Sequence, residues 1–159
     1  MAARKKSVLF VCVHNSARSQ MAEAFLQHLA GDRFAAASAG LEAGSLNPLA
    51  VEVMAEVGLD ISRNATTDVF DLLRQEKQFD YVITVCDDTS GEHCPLFPGQ
   101  AERLHWSFAD PVKLTGSPEE RMKEIRLIRE QIRQRIAWFI EERKFFPAAL
   151  RDAQGEPRA

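Results

Sequence analysis

The sequence predicts an α/β fold, a four-stranded parallel sheet with helices on both faces. Three observations carry this. Residues 7–13 and 80–86 are near-continuous apolar runs rich in Val, Ile, Leu and Phe, the pattern of strands buried on both faces. Helical patterns alternate with the strand runs, and such alternation closes into a parallel sheet through right-handed crossovers. The length, 159 residues, suits one domain whose core needs no disulfide staples.

The elements follow in order. Residues 7–13 form the first strand. Residues 19–29 carry Met21, Ala22, Phe25, Leu26 and Leu29 at helical spacing, and Gly31 ends that helix. Residues 34–38 are a second short strand, stopped by Gly40. Asn47-Pro48 opens a helix whose stripe is Leu49, Val53, Met54 and Val57 and which Gly58 closes. Thr67 or Asp68 caps a helix over 69–75. Residues 80–86 give the third strand, a loop with Gly91, Pro95 and Pro98 follows, and 103–108 give the fourth. Ser117-Pro-Glu-Glu120 combines a cap, a first-turn proline and acids on the positive end of the helix dipole. The long helix after it sets Ile125, Ile128, Ile132, Ile136 and Phe139 on one face. Its arginines, Arg121, Arg126, Arg129, Arg133 and Arg135, read as a solvated face rather than a docking one. The expected organisation is a single catalytic domain over 1–144 and a loosely ordered tail over 145–159, where Pro, Gly and charge accumulate.

Charge narrows the function. The 20 Lys and Arg against 23 Asp and Glu give a net charge of −3, without the clustered basic excess of a nucleic-acid binder. The apolar run over residues 8–13 is too short for a signal-peptide core or a membrane span, so no membrane association and a cytoplasmic location are expected. Three cysteines are an odd number, and in a reducing cytosol spaced thiols point to redox chemistry or metal binding.

A parallel sheet places its site at the carboxyl ends of its strands. Cys12 is expected at the end of the first strand, Cys86 at the end of the third and Asp110 just beyond the fourth. The stretch Cys12-Val13-His14-Asn15-Ser16-Ala17-Arg18-Ser19 joins a buried strand to a helix start. Backbone N–H groups of such a loop curl around an anion, and the same positive field favours the thiolate of a cysteine at its start. Arg18 offers a planar fork matching a tetrahedral oxyanion. Asn15 tolerates a left-handed backbone, and Ser19 is placed to donate to the thiolate. Seven residues separate Cys86 from Cys94, a glycine-containing loop that allows disulfide distance. The pair reads as redox-active; zinc ligands and two inert buried thiols are the alternatives. The polar neighbours Asp87, Asp88, Thr89, Ser90, Glu92 and His93 argue against burial. Asp110-Pro111 reads either as a turn or as a general acid held against the anion, able to protonate a leaving oxygen.

Cys12-x5-Arg18-Ser19 resembles the phosphate-binding loop of low-molecular-weight protein tyrosine phosphatases and their arsenate reductase relatives. The resemblance runs from about residue 6 to 141 and includes Ser38-Ala-Gly40, Asn47-Pro48 and the segment His105 to Pro111. His14 stands where the phosphatases usually have Gly, and Gln20 where they have Pro; Arg18-Ser-Gln-Met-Ala-Glu23 is the reductase-like wording. Val112 and Lys113 follow Asp110 where the phosphatases usually carry an aromatic that grips a phenol ring.

The resemblance implies a flavodoxin-like strand order and reduction of arsenate, with phosphate and sulfate as competing anions. It implies that Cys12 is the nucleophile, that Cys86 and Cys94 are the resolving pair, and that thioredoxin regenerates them. Some relatives place six residues within that pair where this chain has seven. No tightly bound cofactor is implied. In some relatives a potassium ion braces the loop, and the matching residues are Asn15, Glu23, Ser38 and Asp68. Two rival readings stay open: a phosphatase acting on phosphoesters or phosphoproteins through Cys12, Arg18 and Asp110, and an oxyanion-binding redox sensor without turnover.

Overall fold

The computed structural model describes residues 4–87 and 99–145. Four strands, β1 (Lys6–Cys12), β2 (Phe34–Gly40), β3 (Tyr81–Thr84) and β4 (Glu102–His105), pair in parallel in the order β2-β1-β3-β4. Among the described residues the helices are α1 (Arg18–Ala30), α2 (Pro48–Ala55), α3 (Val69–Arg74) and α4 (Pro118–Phe145), with a 3-10 turn at Pro111–Lys113. This is the parallel α/β architecture the sequence predicts. None of the helices is long and apolar enough to cross a membrane, among the described residues.

The central position of β1 explains its composition. Val8, Phe10 and Cys12 face a core shared with α1, α2 and α4, while Leu9 and Val11 face a smaller one shared with α3. A strand covered on both faces has no solvent side, so its residues do not alternate with polar ones. Ile125, Ile128, Ile132, Ile136 and Phe139 of α4 are all buried in the larger core. Burial of each such side chain contributes about 1.5–3 kcal/mol. Phe139 meets Phe34, Tyr81 and Trp106, so α4 is keyed to three strand ends by one ring.

Several boundaries differ from the sequence reading. β2 extends to Gly40 instead of stopping at 38, since its register with β1 continues to Cys12↔Gly40. β3 ends at Thr84, so Cys86 lies two residues past it; Trp106 N–H on Thr84 O closes the ladder with β4. With nothing left to pair against, residues 106–108 leave the sheet, and Trp106 turns its ring onto Phe10 and Phe139. α2 stops at Ala55, and Val57 is exposed rather than part of its stripe: Gly58 at φ +80 turns the chain back so that Leu59 N–H reaches Met54 O. Leu29, expected on the apolar face of α1, is also exposed. α4 reaches Phe145, and residues 146–159, assigned to a loose tail, lie outside the described residues.

Candidate active site

The loop from Cys12 to Arg18 is shaped by its neighbour. The chain leaving β2 runs beside it, and Leu41, Glu42, Gly44 and Asn47 donate N–H groups to the carbonyls of Cys12, Val13, His14 and Ser16 at 2.8–3.2 Å. With those carbonyls drawn outward, the loop's own N–H groups are left to face its interior, the geometry that gathers anions. Gly40 permits the close approach. A Cβ there would lie 2.7 Å from Asn15 N and 2.8 Å from Val13 O. The sequence reading assigned Gly40 only a stop to its strand.

Inside the loop the geometry converges on one sulfur. Cys12 Sγ lies 3.1 Å from Asn15 N–H and 2.9 Å from Ser19 Oγ. Asn15 holds the left-handed conformation, φ +55, and is fully buried. Its side-chain orientation is settled by Thr67 N–H, which donates to Oδ1 at 2.8 Å, so Nδ2 faces Ser19 Oγ, also at 2.8 Å. Because Ser19 Oγ accepts there, its own proton is free to point at the sulfur. Cys12 thus meets two donors, an arrangement that suits a thiolate.

Gln20 supports the loop from below. It is buried, and Nε2 lies 3.2 Å from Asn15 O, 3.2 Å from Asn15 Oδ1 and 3.1 Å from Ala65 O, while Oε1 accepts from Asn64 Nδ2 at 3.1 Å. Sequence reading noted this residue only as a departure from proline. The signal available was a long polar side chain three residues into an otherwise core-facing helix.

Arg18 is buried at the first position of α1. Nη1 donates to Phe108 O at 3.2 Å, and Nη2 lies 3.7 Å from Asp110 Oδ2. Asp110 caps the 3-10 turn through Oδ1, which accepts from Val112 N–H at 3.0 Å. The turn reading and the acid reading are therefore compatible: one oxygen fixes the carboxyl and the other faces the guanidinium.

The sheet sets Cys86 at the same edge as Cys12. Val85 N–H donates to Val11 O at 2.9 Å, so Cys12 and Cys86 each follow directly on this β1–β3 contact. Cys86 is fully buried, contrary to the expectation drawn from its polar neighbours. The sheet ladder has ended, and the residue folds in under the larger core cluster beside Val85 and Trp106. Cys12 is a free thiol and Cys86 is disulfide-bonded. Cys94 lies outside the described residues.

The oxygens matched to a potassium site divide. Ser38 Oγ donates to Glu23 Oε1 at 3.0 Å, yet burial still pushes the Glu23 carboxyl above its usual range. Asp68 caps α3 with Oδ1 on Phe70 N–H, and its backbone bridges to Gly40. Glu23, Ser38 and Asp68 each keep an oxygen lone pair that those contacts do not use. Asn15 Oδ1 does not, because Thr67 and Gln20 already use it.

Residues 7–144 match the family described as low molecular weight phosphotyrosine protein phosphatase. Among curated proteins, the arsenate reductase of Shouchella clausii (strain KSM-K16) is 45% identical over 139 residues, covering 86% of this chain and 96% of that one. Among solved structures, an arsenate reductase in the phosphate binding state superposes with a TM-score of 0.72 at 32% identity, over 86% of this chain and 98% of that chain. The Corynebacterium glutamicum thioredoxin-dependent arsenate reductase superposes with a TM-score of 0.64 at 33% identity, over 91% of this chain and 65% of that chain.

Proposed function

Because the chain belongs to the low molecular weight phosphotyrosine protein phosphatase family, we propose that its loop has been turned to redox use: the reduction of arsenate to arsenite. The observation that supports this reading is a second cysteine, Cys86, which follows the same β1–β3 contact as Cys12, whose sulfur meets Asn15 N–H and Ser19 Oγ. A phosphoester hydrolase has no use for it. Arsenate reductases among the relatives and solved structures support the same substrate.

Cys12 thiolate attacks arsenic, forming an S–As bond, and hydroxide leaves as water with the proton of Asp110. Arg18 and the loop N–H groups hold the remaining oxygens. Cys86 thiolate then attacks Cys12 sulfur. The S–As electron pair stays on arsenic, which leaves as arsenite, and a Cys12–Cys86 disulfide remains. Cys94 attacks Cys86, which frees Cys12 and leaves a Cys86–Cys94 disulfide. A dithiol reductant of the thioredoxin kind returns two electrons, and the thioredoxin-dependent structural relative supports that partner. A cytoplasmic setting supplies the reducing pool the relay needs. A cation on Glu23, Ser38 and Asp68 would neutralise a buried carboxylate behind the loop and enters no step. The catalytic unit is taken to run to the end of α4 at Phe145, one residue past the expected boundary.

The runner-up is a phosphatase using Cys12, Arg18 and Asp110, favoured by the family match. One variant separates the two. Cys86→Ser should halt the reaction at the Cys12–arsenic adduct, with no arsenite released, while leaving hydrolysis of a small aryl phosphate. Arsenate reduction at the parent rate in Cys86→Ser would end the relay. Mass spectrometry after a single reductant-free turnover should locate the disulfide on Cys86 and Cys94. Arsenate binding with no arsenite formed would instead favour the redox-sensor reading.

A further inference from the structure

A second cleft lies between α2 and the start of α4, apart from the cysteines. It has a volume of about 450 Å³ and is lined by Leu49 and Glu52 of α2 and by Glu119, Arg121 and Met122 of α4, among others. That volume falls within the usual span of small-molecule sites.

Its distinguishing feature is Arg121. The other arginines along this part of α4 are paired: Arg126 and Arg129 with Glu56, Arg129 also with Glu130, and Arg133 with Glu130. The Arg121 guanidinium has no hydrogen bond or ion pair among the described residues, although its Nε is shut off from water. A donor that has lost water and gained no acceptor is costly, and a bound acceptor would offset that cost. Arg121 lies one turn before Ile125 on α4, next to Met122, which packs against the core.

The charges around it select the ligand. Arg126 is already paired with Glu56 and lies in the field of Glu52, so Arg121 is the lining cation without an ion pair, and Glu52 and Glu119 are the lining carboxylates. Such a cleft does not attract a bare anion. A planar carboxylate matches the guanidinium fork, a cationic group matches the glutamates, and an apolar body matches Leu49 and Met122. We infer that this cleft binds a zwitterionic α-amino acid with an apolar side chain, its carboxylate on Arg121 and its ammonium toward Glu52 and Glu119.

The test uses the full chain with 13C-methyl-labelled methionine, titrated separately with leucine, leucinamide and N-acetylleucine. Leucine should shift the Met122 methyl signal saturably. Leucinamide, lacking the carboxylate, and N-acetylleucine, lacking the ammonium, should each bind roughly tenfold more weakly, the loss of one charge-assisted contact. Arg121→Gln should lose the leucine response. The signals of Met21 and Met54, both fully buried in the core, report whether that variant is folded. Glu119→Gln gives a second arm: it should weaken leucine and strengthen N-acetylleucine. An absent or non-saturating leucine response, an equal response in a folded Arg121→Gln, or N-acetylleucine binding as tightly as leucine would each overturn the assignment.

Discussion

The Gln20 side-chain amide lies 3.2 Å from both the backbone oxygen and the side-chain oxygen of Asn15, the residue whose N–H faces the Cys12 sulfur. The same amide reaches Ala65 O, so the catalytic loop is tied through one glutamine to the segment beyond α2. Asn15 is therefore held by Gln20, five residues on, which is itself anchored to a segment remote in sequence.

Gln20→Ala should loosen that hold. It removes the Gln20 partner of Asn15 O, Ala65 O and the Asn64 amide, while Asn15 Oδ1 keeps Thr67 N–H, and each buried polar group left without a partner costs about 1–3 kcal/mol. A drop in stability of about 2–3 kcal/mol is expected in urea. A misplaced Asn15 N–H should also cut kcat/KM with arsenate about 10- to 100-fold. Alkylation of Cys12 by iodoacetamide should slow in parallel. A stability loss with unchanged alkylation would mean that Gln20 supports the fold and not the sulfur.

Gly40→Ala should damage the site out of proportion to its effect on the fold. The added methyl would sit 2.7 Å from Asn15 N and 2.8 Å from His14 C, both backbone atoms of the loop. Backbone cannot swing aside as a flexible side-chain end can, so the loop must shift. Activity is expected to fall by about 100-fold or more, the scale of a displacement near 1 Å. A variant with near-parent turnover would show that the loop has slack.

Glu56 gives the acid limb of stability a molecular cause. Hydrogen bonds from Arg126, then from Arg129, hold its carboxyl at about 2, below its ordinary 4.5. The sign follows from linkage. A depressed carboxyl contributes stability above its unfolded value, and that contribution is lost as pH falls through about 2. Glu56→Gln should be less stable than the parent at pH 7, with the difference shrinking steadily below about pH 4. Because the group is exposed, the effect should also shrink in high salt. Parallel stability–pH curves for the two proteins would contradict this.

The oxygens of Glu23, Ser38 and Asp68 allow a direct test for a cation. Potassium chloride should raise the parent Tm above that in tetramethylammonium chloride at equal ionic strength. Glu23→Gln, which keeps an acceptor for Ser38, should lose the difference. Equal Tm values in the two salts would remove the ion.

Much of this was legible along the chain. The loop from Cys12 to Ser19 carries sulfur, guanidinium and hydroxyl within eight consecutive residues, so its chemistry is local and its motif visible. The strand cores and the α4 face were legible because burial imposes a period on the sequence. Three things were not. Gly40 looked like punctuation, because what it approaches lies 25 residues earlier in the chain. Cys86 looked exposed, because polar neighbours indicate the environment of a loop on average but not which way one side chain turns. Arg129, read as part of a solvated face, has a mostly buried side chain that donates to Val53 O.

The sequence by itself determined the α/β alternation and the parallel sheet and pointed to the candidate reacting groups, since these follow from periodicity and from chemistry carried within short segments. Only the tertiary structure decided how the loop is held: carbonyls drawn outward by residues 41–47, Asn15 fixed by Gln20 and Thr67, and Cys86 brought beside Cys12 across the β1–β3 ladder. Apart from the Asn15–Gln20 contact, five residues apart, those are hydrogen bonds between segments tens of residues apart. Their geometry depends on how the elements pack, which no local pattern encodes.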